Sequence, residues 1–293
     1  MATTQYSSAS LMRLATYASV LTAVILITAK ALSWWYSESV SMLATLTDSS
    51  MDLLASVITL FAVYHALQPA DTEHRFGHGK AEALAGFCQA CIVGLSAIFL
   101  FYSSVQRLFH PHPISDAIEA SIWVMLLSIV VTGLLLLFQR YVVKKTGSTA
   151  ISADALHYRT DFLLNIGVIV AISLTAMGWQ YFDAIMAMVI SMYILHSAWE
   201  ILREAIDLLM DKELSSATRD EIKTLVMKHP FVIGVHDLRT RRAGVQVFIQ
   251  MHIVMKGDLP LAQVSDVCTA IESDLLGHLE NTEVMIYPHA ENA

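Results

Sequence analysis

Four residues have the types and spacing to do chemistry. Asp48 and Asp52 lie inside the apolar stretch LATLTDSSMDLLASVITLFAV (43–63), and His157 and Asp161 lie inside ADALHYRTDFLLN (153–165). In each pair the members are four positions apart, which on an α-helix puts both side chains on one face, about 5 to 6 Å apart. An aspartate at mid-bilayer costs about 2.5 to 3.5 kcal/mol unless it meets protein, water or a cation. Two ionised carboxylates on one face also repel. A divalent cation relieves both costs, and so do protons. The bland alternative is protonated acids used only for helix packing, which gives no reason for two acids on one face. If the two faces meet, three carboxylates and one imidazole form a four-coordinate N/O set that suits Zn²⁺ and also accommodates Fe²⁺, Mn²⁺ or Cd²⁺. A lone membrane histidine is ordinarily a packing residue; three acids at matched spacing are what mark His157. Ser49 and Asn165 are neighbours placed to orient the ligands.

These residues need helices in a bilayer, and the chain supplies them. Of its 293 residues, 55% are hydrophobic and only 15% charged, far too apolar for an ordinary soluble domain. A hydrocarbon core is crossed by about 20 helical residues, and six runs qualify: 12–35, 41–66, 82–108, 118–141, 150–177 and 182–209. The first follows a polar, uncharged leader and has no small-residue cleavage site, so it is expected to remain as a span. From about Lys212 charges become frequent, VQVFIQMHIVM (245–255) reads as a strand, and helical patterns flank it at 216–228 and 261–279. The expected division is therefore a transmembrane domain over 1–211 and a soluble domain over 212–293. If the helices alternate, Arg13, Arg75, Lys80, Arg140, Lys144, Lys145 and the tail's basic residues share one side. The loops around Glu38, His112 and Gly178 have only Arg107 nearby, which predicts that both termini are cytoplasmic.

The net charge of -8 argues against nucleic acid as a partner. Three cysteines make no disulfide framework; Cys88 and Cys91 share a helix face and read as packing, and Cys268 as tail core. The fourteen methionines lack a repeated Met-x-x-Met pattern and read as gap fillers. Lys30, inside the first span, is expected to snorkel. In PADTEHRFGHGKAE (69–82), Asp71, His74 and His78 offer three ligands in a short loop, with Gly77 and Gly79 permitting a turn; solvated loop histidines are the competing reading. No HExxH occurs, and the four-ligand set leaves no open position for a catalytic water, which disfavours an intramembrane metalloenzyme. A membrane metal sensor that binds without transporting is a second rival.

Four segments, SMLATLTDSSMD (41–52), QPADTEHRFGHGKAEALA (68–85), ADALHYRTD (153–161) and GVHDLRTRRAG (234–244), occur in this order. In them, and over nearly its whole length, the chain resembles the cation diffusion facilitators, in particular the bacterial zinc and iron efflux members. The resemblance implies six transmembrane helices followed by a cytoplasmic α+β metallochaperone-like domain of order αββαβ. It implies a homodimer in the bacterial inner membrane that exchanges a cytoplasmic divalent cation for protons by alternating access, a secondary transporter rather than an enzyme. Carried onto this chain, the transport site falls on Asp48, Asp52, His157 and Asp161. A histidine at the third of these positions accompanies zinc and cadmium in the family, whereas aspartate accompanies manganese. The resemblance also implies a second zinc site at Asp71, His74 and His78, and a charge interlock of Lys80 and Asp211 at the dimer hinge. The alternative for that last pair is a snorkelling lysine and a helix-end acid.

The tail departs from the family. Relatives hold a binuclear zinc site there, with histidines at the positions of His236 and His252, a further helix histidine and a terminal His-x-Asp. Here the helix position is Ser265, and the terminal pair is Tyr287 and His289. A one-metal site of His236, His252 and His289 is the form left open, against a plain strand-face role for His252.

Overall fold

The computed structural model describes residues 2–37, 40–109, 118–175, 182–279 and 281–291. Two compact units result, Met1–Ile206 and Asp207–Ala293. Glu38, His112 and Gly178, and the side chains of Asp48 and Arg107, lie outside the described residues.

The first unit is a bundle of α1 (Ala2–Ser37), α2 (Val40–Ala66), α3 (Lys80–Phe109), α4 (Ile118–Thr146), α5 (Thr149–Thr175) and most of α6 (Phe182–Leu209). Among the described residues, five helices carry apolar windows able to cross a bilayer: Ser8–Trp35, Ser49–Ala66, Lys80–Gln106, Trp123–Thr146 and Ala184–Leu209. The sixth, α5, is as long as α2 but less apolar, because it holds Asp154, Arg159 and Asp161. The bundle is inverted relative to a soluble protein. Phe61, Phe99, Leu137 and Trp199 are 68, 71, 69 and 61% exposed, while Ser19, Ser56, Thr59, Gln89, Gln139 and Asp154 are buried. Lipid tails accept the apolar exterior, and helix-to-helix hydrogen bonds satisfy the interior.

Two features seat α5. Gly86 on α3 leaves room for Thr149: a Cβ there would come 3.0 Å from Thr149 Cγ2 and 3.3 Å from its carbonyl oxygen. The buried Glu82 carboxyl lies against Ser148 and the first backbone amides of α5, Thr149 and Ala150, where an acid complements a helix N-terminus. Farther along, Ala90, Val93 and Ala97 of α3, Ala153 and Leu156 of α5, and Ile190, Ile194 and Ala198 of α6 form one apolar seam.

The second unit runs α7 (Ser216–Val226), β1 (Val232–Ala243), β2 (Gln246–Met255), α8 (Leu261–His278), β3 (Thr282–Ala290), the αββαβ order. The sheet order is β1-β2-β3, with β1 antiparallel and β3 parallel to the central strand. Alternate residues of β2, Val247, Ile249, Met251, Ile253 and Met255, pack on Ile222 and Val226 of α7 and on Val267, Ile271 and Leu275 of α8. The period-two rhythm that reads as a strand is this buried face. Cys268 sits half-buried at the edge of that core rather than within it.

Candidate metal centres

Asp52 is on α2; His157 and Asp161 are one turn apart on α5. The helices meet so that His157 Nε2 is 2.8 Å from Asp52 Oδ1 and 4.0 Å from Asp161 Oδ2. One ligand atom from each of the three lies within 4.8 Å of the others. Their side chains are 14, 19 and 32% exposed, mostly covered but not sealed. Asp48 precedes Asp52 by one turn on α2. The nitrogen and oxygen that approach at 2.8 Å are the kinds of atom that bind a divalent cation and that protonation blocks. Ser49, read as a ligand-orienting residue, is engaged differently: its Oγ accepts a 2.5 Å hydrogen bond from the Lys30 ammonium. Lys30 therefore turns inward to α2 instead of snorkelling outward, the correction arising because a buried hydroxyl beside the acid pair offers a better partner than the interface.

The loop between α2 and α3 brings Asp71, His74 and His78 together, again with ligand atoms within 4.8 Å. His78 Nε2 is 3.4 Å and His74 Nδ1 3.5 Å from the Asp71 carboxylate. Asp71 Oδ1 also accepts from the backbone N–H of Glu73 at 2.9 Å and of His74 at 2.6 Å, an Asx turn that shapes the loop. The His74 amide is the main reason its carboxyl lies below the ordinary carboxylate range. Gly77 is left-handed at φ 76°, as a turn requires. Gly79 is not; its carbonyl already accepts from Glu82 N in the first turn of α3. His78 is buried, its Nδ1 has no hydrogen-bond partner among the described residues, and the His65 ring lies 4.5 Å from its own.

Lys80 opens α3 in the first unit, and Asp211, in the second, pairs with Arg241 at 3.4 Å. In the tail, His236 and His252 are directly opposed across β1 and β2, with ring centroids 5.3 Å apart. His252 Nδ1 is 2.5 Å from His289 Nε2, and His236 and His289 rings are 5.8 Å apart, so three imidazoles cluster on one patch of sheet. Tyr287 stacks on His252 at 5.0 Å, and Asp237 Oδ2 stands 3.8 Å from His252 Nε2. Asp237 is held below the usual carboxylate range by the Arg239 guanidinium. Ser265 is exposed on α8.

The residues that sequence reasoning missed surround Asp154. It stands three positions before His157, inside ADALHYRTD, and a charged residue within a span was the available signal.

Two family models match the chain in tandem: the cation efflux transmembrane domain over residues 16–210 and the cytoplasmic domain of cation efflux proteins over 214–291. The chain is 44% identical over 258 residues to the cation-efflux pump FieF of Salmonella paratyphi A, covering 88% of this chain and 86% of that protein. It is 43% identical over 265 residues to FieF of Salmonella arizonae, covering 90% and 88%. A solved structure of the transporter CzrB aligns at 27% identity over 27% of this chain and 99% of its own, with a TM-score of 0.26.

Proposed function

The chain belongs to the cation-efflux family, the cation diffusion facilitators, and from that premise we propose that it exports Zn²⁺ across the bacterial cytoplasmic membrane in exchange for protons, working as a homodimer. It is a multi-pass membrane transporter of divalent metal cations and not an enzyme, so the hydrolase reading falls away. The observation that carries the zinc and proton reading is the approach of Asp52 from one helix to His157 and Asp161 from another.

The cargo binds a neutral imidazole and ionised carboxylates, so each cation that enters must displace protons, and each proton that returns must displace the cation. Histidine is the side chain whose charge changes most readily near neutral pH, which makes His157 the exchanging group. Asp48, on the same face of α2, completes four ligands. The helices bearing them expose the site alternately to the two sides of the membrane. One imidazole among three carboxylates favours Zn²⁺, with Fe²⁺ and Cd²⁺ as secondary cargo.

In this reading residues 1–211 translocate and residues 212–293 form the cytoplasmic, dimer-forming domain, with both termini cytoplasmic and Lys80 and Asp211 interlocking near the hinge. Asp71, His74 and His78 hold a structural Zn²⁺, and His236, His252 and His289 hold one more at most.

The test is metal uptake into proteoliposomes carrying a lumenal pH dye, with Zn²⁺, Fe²⁺, Cd²⁺ and Mn²⁺ in competition. Zn²⁺ uptake coupled to lumenal acid loss is expected, and Asp52→Ala or His157→Ala abolishes it while the dimer stays folded. Robust transport by either variant removes the site assignment; metal binding without transport by the native protein would return it to the sensor class.

A further inference from the structure

Asp154 has no part in the exchange just described, yet it is 1% exposed in the middle of a membrane bundle. Its carboxylate accepts hydrogen bonds from three other helices. Ser19 of α1 donates at 2.6 Å, Gln139 of α4 at 2.7 Å and Gln89 of α3 at 3.3 Å. The remaining helix of the first five is tied in twice. Thr59 of α2 donates to Gln89 Oε1 at 2.8 Å, and Ser56 of α2 meets the Tyr158 hydroxyl at 2.8 Å. Tyr158 in turn donates to the Ser19 carbonyl at 3.0 Å; its single proton being spent there, Ser56 is the donor in the other bond. Gln139 also donates to Ser19 Oγ at 2.9 Å, so the chain closes on itself around the carboxylate. Ser19, Ser56, Thr59, Gln89, Gln139 and Tyr158 are each 6% exposed or less.

The ring lies beside the candidate transport site. Asp154 is about 4.5 Å along α5 from His157, Tyr158 is the next residue after it, and Ser56 is one turn beyond Asp52 on α2. We propose that Asp154 is a positioning residue: by gathering donors from α1, α3 and α4 it fixes the rotation and height of α5, so that His157 and Asp161 face Asp52. The physical reason for an acid is that a buried carboxylate is acceptor-only and can take several donors at once, which no neutral side chain of its size does. The same property ranks the loss. Without the carboxylate the Gln89 amide and one N–H of Gln139 lose their acceptor, Ser19 keeps only the Ala15 carbonyl of its own helix at 3.1 Å, and with three interhelical bonds gone the helices have reason to rotate. Gln139 Oε1 has no partner among the described residues. An asparagine at position 154 can therefore be met by a flipped Gln139 amide, keeping the ring closed without the charge.

This inference rests on the transport reading, and wild-type uptake together with Asp52→Ala reports on that reading separately. The Asp154 arms compare Zn²⁺ KM and maximal rate with the visible absorption of bound Co²⁺, which reads ligand geometry directly. Asp154→Ala is expected to raise KM about 10- to 100-fold, the range for groups that orient metal ligands, and to shift the Co²⁺ spectrum. Asp154→Asn stays close to wild type in both. Native KM and spectrum in Asp154→Ala overturn the proposal. So does an Asp154→Asn that loses transport as fully as alanine with a native spectrum, since the charge or its proton would then matter rather than the bonds. If Asp154→Ala does not assemble, Gln139→Leu removes the 2.7 Å bond to Asp154 together with the 2.9 Å bond to Ser19 and leaves the carboxylate in place; it is expected to move KM and spectrum the same way, and native values in it overturn the proposal equally.

Discussion

At the scale of single residues, Asp71 does two things that one substitution pattern can separate. Its carboxylate shapes the loop through the amides of Glu73 and His74, and it is the anionic member of a three-residue cluster proposed to hold a metal. Asp71→Asn retains the turn-forming oxygen but loses the charge, whereas Asp71→Ala loses both. Metal affinity at the loop, followed by isothermal titration in an Asp52→Ala background, is expected to fall in both by more than the about 10- to 100-fold that changes to ligand-orienting groups bring. Only alanine should raise proteolytic cutting of the loop. The pH dependence follows from the depressed Asp71 carboxyl: its contribution to the turn is complete above the ordinary carboxylate range and is lost only as pH falls through the lower folded value. The turn is therefore expected to hold, read by proteolytic cutting of the loop, until pH falls below the ordinary carboxylate range; a loop that opens within that range would contradict this. The Asx pairing itself was hidden in the sequence, because Asp71 reads equally well as a solvated acid, a turn residue or a ligand until the backbone amides are in place.

At the scale of elements, what could be read depended on whether the signal was local. The spans were legible because a bilayer demands long apolar runs, and β2 was legible because its buried face repeats every second residue. By contrast, β1 carries Asp237, Arg239, Arg241 and Arg242 and β3 contains Pro288, so both came from the family resemblance rather than from pattern. The i, i+4 pairs on α2 and α5 were visible because helix periodicity alone defines a face. The Asp154 ring was not, because its members come from five helices and no spacing along the chain links Ser19 to Gln139. The seating of α5 gives a test at this scale. Gly86→Leu puts a side chain where a Cβ alone would already come 3.0 Å from Thr149, and overpacking of that kind costs about 1 to 3 kcal/mol. The detergent-solubilised dimer should melt at lower temperature, and transport should fall because the start of α5 moves with Thr149. Gly86→Ala is expected to do the same more weakly. A Gly86→Leu protein with native melting and transport would show that α3 and α5 do not need this close approach.

For the whole molecule, the question is what the proposed one-metal tail site would do to a dimer. A sheet patch bearing His236, His252 and His289 keeps three imidazoles together, but Ser265 on α8 offers a hydroxyl where the family resemblance implies an imidazole, and Tyr287 spends its ring stacking on His252. Three neutral nitrogens plus water suffice for one Zn²⁺. They leave only the Asp237 carboxylate beside them for a second, and in the proposed one-metal form an ion held by one tail has little reason to draw the two tails together. Metal binding stabilises whichever arrangement holds the metal more tightly, in proportion to that difference in affinity and no further. The full-length dimer in lipid nanodiscs, with spin labels on α7 of each tail, should therefore show only a modest narrowing of the inter-tail distance on Zn²⁺ addition. His252→Ala with His289→Ala should abolish even that narrowing, while Zn²⁺ uptake persists through the transmembrane site. Restoring a histidine with Ser265→His should enlarge the Zn²⁺-driven change. A large closure in the native protein that survives loss of His252 and His289 would mean that the tails respond to metal bound elsewhere in the molecule, and would remove any regulatory role for this patch.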